Sequence, residues 1–214
     1  MSAIDNWSAN WCADKFKHDK ISGVRAVENN LIEVKAEEIG VALVATMSFS
    51  EVSLPDIPQV AHRQDVEFIV NIKKDVLFQG DLIGFADINS KGLGGIADLS
   101  RAINQGSLRE YVSPERAFLS RALSQHSAVA GVQMLNNKTY YILRQGMEAY
   151  QFLALDAYDL TANVVRDGLR RFGHSRTILK SNPNGNITPE AREAAKNSST
   201  KIFTFAQLLG ALNG

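Results

Sequence analysis

The densest run of positive side chains lies between residues 166 and 180: Arg166, Arg170, Arg171, His174, Arg176 and Lys180. In the stretch DLTANVVRDGLRRFG, Arg166 and Arg170 fall one helical turn apart. They share a face that can meet phosphates, each contact adding salt-sensitive affinity. The same residues also suit an ordinary helix end. Arg170 and Arg171 occupy a last turn, where cations favour the dipole, and Asp167 can pair with Arg171. Directly beyond stands ILKSNPNGNITPEAREAA, residues 178–195. A helix start at Thr188, a glycine, and Lys180, Asn182 and Asn184 nearby form an arrangement able to hold an anion. It lacks the lysine–serine/threonine ending of a phosphate-binding P-loop. It is also explained as a type I turn, with asparagine first, proline second and glycine fourth, running into a helix start.

A second constellation lies earlier. Glu33-Val34-Lys35 is an E-x-K on a predicted strand, so both charged side chains share one face. Asn71-Ile72-Lys73 repeats the spacing on another strand, with Pro55-Asp56 upstream. A β meander, a helix and closing β–α units, together with this motif, resemble the restriction-endonuclease-like nuclease superfamily. That resemblance implies a Mg²⁺ held by Glu33 and Asp56, with Lys35 or Lys73 assisting an attacking water. Two departures stand against the pattern. Asp56 follows the E-x-K, whereas the family's aspartate precedes it. At the later strand Asn71 replaces the acid, and an amide brings no charge to Mg²⁺. The other reading of these charges is a solvated polar sheet face.

GLGGIA, residues 92–97, formally satisfies G-x-G-x-x-A. A dinucleotide fingerprint needs strand, turn and helix in that order, and FADINSK before it does not read as a strand. The expectation is a flexible connection between two helices. The four histidines, His18, His62, His126 and His174, have no partner at zinc spacing. No G-x-S-x-G and no EF-hand loop occurs. Cys12, among tryptophans, reads as buried. Tyr140 and Tyr141 point to opposite faces of a hairpin strand, one of them into the core.

The elements that must position these residues follow from periodicity. Asp5–Lys17 reads as a helix, with Ile4, Trp7 and Trp11 at helical spacing. VRAVENNLIEVKAE is a hairpin turning at Asn29-Asn30, and IGVALVATMSF a third strand. DVEFIVNIKK alternates, with Val66, Phe68, Val70 and Ile72 on a buried face and Asp65, Glu67, Asn71 and Lys73 on a polar one. Helices follow from Asp75, restarting near Ile96, and Ser113-Pro114-Glu115 opens another. VAGVQMLNNKTYYILRQ is a hairpin around Asn136-Asn137, and AYQFLALD a strand. A helix capped by Asp159 and ended by Gly173 comes next. RTILK, TPEAREAAKN, KIFTF and AQLLGALN then alternate strand and helix, which argues for parallel strands. The expectation is a single α/β domain over residues 1–214 with a mixed sheet. An N-terminal antiparallel meander half (1–75) precedes a helical and β–α half (76–214). No internal repeat is visible. Ligands of open parallel sheets bind beyond the strands' carboxyl ends. That rule selects the loops carrying Lys73 and Lys74, Asp156 and Asp159, and Lys180, Asn182 and Asn184.

Charge and composition bound the rest. Residues 1–100 hold 9 Lys/Arg and 15 Asp/Glu, and residues 101–214 hold 14 and 8, so the halves carry −6 and +6. Such asymmetry marks a surface for nucleic acid or for an oppositely charged partner, or else mixes on one body. No apolar run is long enough to span a membrane, no signal peptide is expected, and a single cysteine suits a reducing cytoplasm. Three functions are therefore weighed. The first is a nucleic-acid-binding, nuclease-like protein, Mg²⁺-dependent or catalytically degenerate. The second is a non-catalytic module for a small anionic or nucleotide-type ligand at the strand edge. The third is a structural subunit self-associating into a homo-oligomer through its opposite-charge halves.

Overall fold

Asn29 and Asn30 both adopt left-handed backbone, with φ of 64° and 58°. Two consecutive residues at positive φ make the tight turn that matches strand twist. It folds β1 (Ile21–Val27) antiparallel onto β2 (Leu31–Ala36), which pairs in turn with β3 (Gly40–Met47). The computed structural model describes residues 6–214. Helix α1 (Trp7–Lys15) precedes this meander; Ile4 and Asp5, expected at its start, lie outside the described residues. The chain divides into two compact units, Met1–Ser113 and Pro114–Gly214. It is α/β in class, with mixed sheets in which a meander is followed by β–α units, as patterning implied.

In the first unit the meander leads through β4 (Glu51–Val52) and two 3₁₀ turns to β5 (Val66–Asn71). Then come β6 (Leu77–Phe78), α2 (Gly80–Ile88), β7 (Gly92–Gly95) and α3 (Ile96–Asn104). The main sheet runs β1-β2-β3-β5-β7, its last two pairings parallel. Its core combines Cys12 and Phe16 with Ile32, Val34, Val44, Phe68, Val70, Leu99 and Ile103. Two expectations are corrected here. Strand β5 is flanked on both sides, so Ile69 and Asn71 are buried along with Val66, Phe68 and Val70. The stretch Gly92–Gly95 is a strand rather than a flexible connection. Crowding selects its glycines: a Cβ on Gly92 would stand 2.2 Å from the Phe68 ring and 2.4 Å from the Leu108 carbonyl oxygen. Such close backbone approach is open only to glycine.

The second unit opens with α4 (Pro114–Ser124) and a meander of β8 (Val129–Met134), β9 (Thr139–Arg144) and β10 (Met147–Leu155). It continues through α5 (Ala162–Phe172), β11 (Thr177–Lys180), α6 (Pro189–Asn197), β12 (Lys201–Phe203) and α7 (Phe205–Leu212). The sheet order is β12-β11-β10-β9-β8, with β10, β11 and β12 parallel. Tyr140 is the buried member of its pair and stacks on Phe152 at 5.1 Å. Thr161, not Asp159, caps α5, its hydroxyl accepting from Val164 N.

The two units share one topology, a repeat that the sequence does not display. Each has a helix, three antiparallel strands, and two further parallel strands in the same order. Registers agree: Ala45 faces Ile69 as Leu153 faces Ile178, and Ile69 faces Leu93 as Ile178 faces Ile202. Details agree as well. Thr46 N donates to Asn30 O at 2.8 Å, and Ala154 N to Lys138 O at 2.8 Å. Ser90 and Ser199, both following a helix, have φ of 51° and 53°. Lys91 Nζ donates to Val66 O and Thr200 Oγ1 to Ser175 O, each at 2.7 Å. Asp98 accepts from Gly95 N as Gln207 accepts from Thr204 N. Val52 pairs with Phe78, and Leu160 with Ile187, both in parallel.

Candidate functional site

Parallel pairing aligns the ends of β10, β11 and β12. Leu155 stands opposite Lys180, and Leu179 opposite Phe203. The residues that leave these strands, Asp156, Ser181 and Thr204, therefore emerge at one sheet edge. A cleft of about 740 Å³ opens there. That volume falls within the range of small-molecule sites, and the position is the one open parallel sheets use.

One wall is the loop 181–187. Lys180 is buried, and its Nζ donates to the carbonyl oxygens of Asn182 (2.6 Å) and Asn184. Asn184 N donates to Asn182 Oδ1 at 2.9 Å, so the first asparagine closes its own turn. Asn186 N donates to Asp159 Oδ1 at 2.8 Å, and Leu160 N to Asn186 O at 2.8 Å. Thr188 then caps α6 by accepting from Ala191 N. The NPNG stretch is thus a turn, and it is also a wall of the cleft.

The opposite wall comes from α4 and the start of α7. Phe118 and Phe205 meet with ring centroids 5.1 Å apart at 52°. Glu115, near the start of α4, accepts from the Ser181 hydroxyl and pairs with Lys138 Nζ at 2.8 Å. Asp156 and Arg192 also line the cleft, and both are exposed. Among the described residues neither side chain has a hydrogen-bond or ion-pair partner.

Of the predicted anion-binding residues, the structure gathers Lys180 and Asn182 in this cleft, with Asn184 and Thr188 shaping its loop. Arg166, Arg170 and Arg171 lie on α5, all exposed. Arg166 reaches Asn163, Arg170 pairs with Asp167 at 3.3 Å, and Arg171 lies over the Phe172 ring. Arg176, also exposed, precedes β11. In the first unit, Glu33 and Lys35 share a face of β2, and Glu33 pairs with Arg25 at 2.9 Å. Asp56 accepts from the Ser53 hydroxyl and amide, which holds its carboxyl below the usual carboxylate range. Lys73 Nζ donates to the Ser50 hydroxyl. Glu33, Asp56 and Lys73 are thus engaged by their own neighbours. Among the described residues, no group of three or more His, Cys, Asp or Glu side chains is placed to hold a metal ion. Among the described residues no helix is long and apolar enough to cross a membrane.

Sequence reasoning did not single out Ser181, Phe118, Phe205 and Arg192 as cleft residues, and read Glu115 only as part of a helix start. Ser181 alone carried a local signal, as the first residue beyond a strand pointing at the favoured edge. In comparisons with known proteins the chain matches no family model, no curated protein and no solved structure.

Proposed function

We propose that residues 114–214 form a non-catalytic module that binds a small anionic or nucleotide-type ligand at the carboxyl edge of their sheet. The observation that carries this reading is the cleft above Lys180. A buried ammonium there faces only loop carbonyls, which occupy two of its three donors. The Phe118–Phe205 pair supplies an apolar surface beside it. A few convergent polar groups on an apolar wall are what small-molecule sites offer. The test is thermal unfolding of the whole chain with phosphate, AMP, ATP and amino-acid ligands. A ligand that raises Tm and loses its effect in Lys180→Asn supports the reading; no shift with any of them defeats it.

A nucleic-acid reading is favoured by a separate observation, the three exposed guanidinium groups on α5. Residues 114–214 hold 12 Lys/Arg against 7 Asp/Glu, so the positive charge belongs to this unit. Titration of labelled DNA and RNA at two salt concentrations tests it. Binding that weakens with salt and in Arg170→Ala/Arg171→Ala supports a phosphate-facing surface. Repeating the titration with Mg²⁺ and with a chelator tests nuclease activity, for which Glu33 and Asp56 would have to leave their present partners.

A further inference from the structure

The repeated topology provides an internal control for the cleft. Lys180 corresponds to Asn71, 109 positions earlier, at the end of the equivalent strand. Asp156 corresponds to Ser48, each the first residue beyond its strand. Arg192 corresponds to Ile83, each the fourth residue of its helix. The first unit therefore builds the same strand ends and the same helix with neutral residues at all three places.

Asn71 also shows what a purely structural residue does there. Its amide donates to Phe49 O (3.0 Å) and Lys73 O (2.8 Å), and its carbonyl accepts from Phe49 N (2.8 Å). Every hydrogen bond ties the strand end to its own loops. Lys180 keeps one of these ties, to the carbonyl two residues on. It replaces the rest with a positive charge that, among the described residues, meets no carboxylate within ion-pair distance. Charge at such a buried position costs stability unless something compensates it. The fold does not require that charge, because an asparagine serves in the other copy.

The cleft is not simply positive. Asp156 stands in it with no partner among the described residues, opposite in sign to Lys180 and Arg192. Glu115 is already paired with Lys138 and accepts the Ser181 hydroxyl. We propose that the ligand is a zwitterion of the amino-acid or short-peptide type. Its carboxylate meets Lys180 and Arg192, its ammonium meets Asp156, and an apolar side chain lies on Phe118 and Phe205. A simple anion would leave Asp156 repelling it, and a simple cation would leave Lys180 uncompensated. A zwitterion answers both with one molecule. This inference rests on the ligand-binding reading above and narrows its ligand class.

The experiment is calorimetric titration of the full chain with the dipeptide Phe-Ala, its N-acetyl and C-amide forms, free phenylalanine, phosphate and AMP. The expected result is binding of Phe-Ala, weakened at least tenfold by blocking either end. Asp156→Asn should erase the preference for the free amine, and Arg192→Gln the preference for the free carboxylate. Both substitutions are at exposed positions and leave the loop ties of Lys180 in place. If blocked and free dipeptides bind alike, or only phosphate and AMP bind, the zwitterion assignment is wrong and the ligand-binding module stands. If none of these probes binds, both fall.

Discussion

Gly185 lies so close to Tyr158 that a Cβ on it would stand 1.9 Å from the Tyr158 carbonyl oxygen. Its φ of 72° is itself a conformation glycine favours. Two independent constraints therefore act on one residue at the cleft wall. Gly185→Ala should destabilise the second unit by about 1–3 kcal/mol and displace the loop that Lys180 holds. Denaturant unfolding measures the first effect. Ligand titration at a temperature where the variant stays folded measures the second.

The matched pair Ser90 and Ser199 allows the repeat to be tested by its strain. Both are non-glycine residues at positive φ, each two residues past the end of its corresponding helix. Replacing either with glycine should remove left-handed strain and stabilise the chain by about 0.5–1 kcal/mol. Ser199→Gly should gain more, because Ser90 Oγ also bonds Glu110 and that contact is lost. Opposite signs for the two substitutions would break the equivalence.

Tyr111 sets an alkaline limit on the first unit. Its hydroxyl donates to Asp98 Oδ1 at 2.9 Å, and burial, with the Asp98 charge beside it, pushes its pKa up to about 12. Above the ordinary tyrosine pKa the unfolded chain loses this proton while the folded chain keeps it. Stability is therefore fully present below about pH 10 and is lost as pH rises through the folded value, by up to about 3 kcal/mol for this group. Tyr140, whose pKa burial also raises, adds to the fall. In Tyr111→Phe the fall between pH 10 and 12 should be shallower, against a loss of about 1 kcal/mol at neutral pH for the missing hydrogen bond. Denaturant midpoints across that pH range give both numbers.

Cys12 should behave as a core side chain. It is fully buried, and burial pushes its thiol up to about 12. At pH 8 about one molecule in ten thousand would carry a thiolate. A disulfide reagent should find no reactive thiol in the native protein and one per chain in denaturant. Rapid modification of the native protein would contradict the packing of α1 on its sheet.

Local chemistry made part of this structure readable in the sequence. The turn at Asn29-Asn30, the Thr188-Pro189-Glu190 helix start and the closing alternation of strand and helix are all written within a few residues. Strand β7 was not readable, because its glycines answer to Phe68 and Leu108, far away in sequence. Glu115 in the cleft was hidden for the same reason, since its bond to Ser181 joins residues 66 apart. The repeat was hidden differently. Corresponding positions keep burial, register and backbone conformation while changing side chains, as Asn71 and Lys180 do, so a comparison of residue types misses it. The candidate cleft was half visible: the edge rule selected Lys180, Asn182 and Asp156, and nothing local selected the aromatic wall.

The division at Ser113 has a consequence for how the chain comes into being. Every strand of the first sheet finds its neighbours between Ile21 and Gly95, and none waits for a later residue. During synthesis that sheet is complete as soon as Gly95 has left the ribosome, while α4 and everything beyond it are still being added. The first copy can close its core while the second is still being made, so its hydrophobic face does not have to wait for the second, whose core needs Leu208 and Leu212 of the last helix. Two near-identical topologies in one polypeptide risk exchanging strands with each other, and this sequential order limits that exchange by sealing the first copy before the second exists.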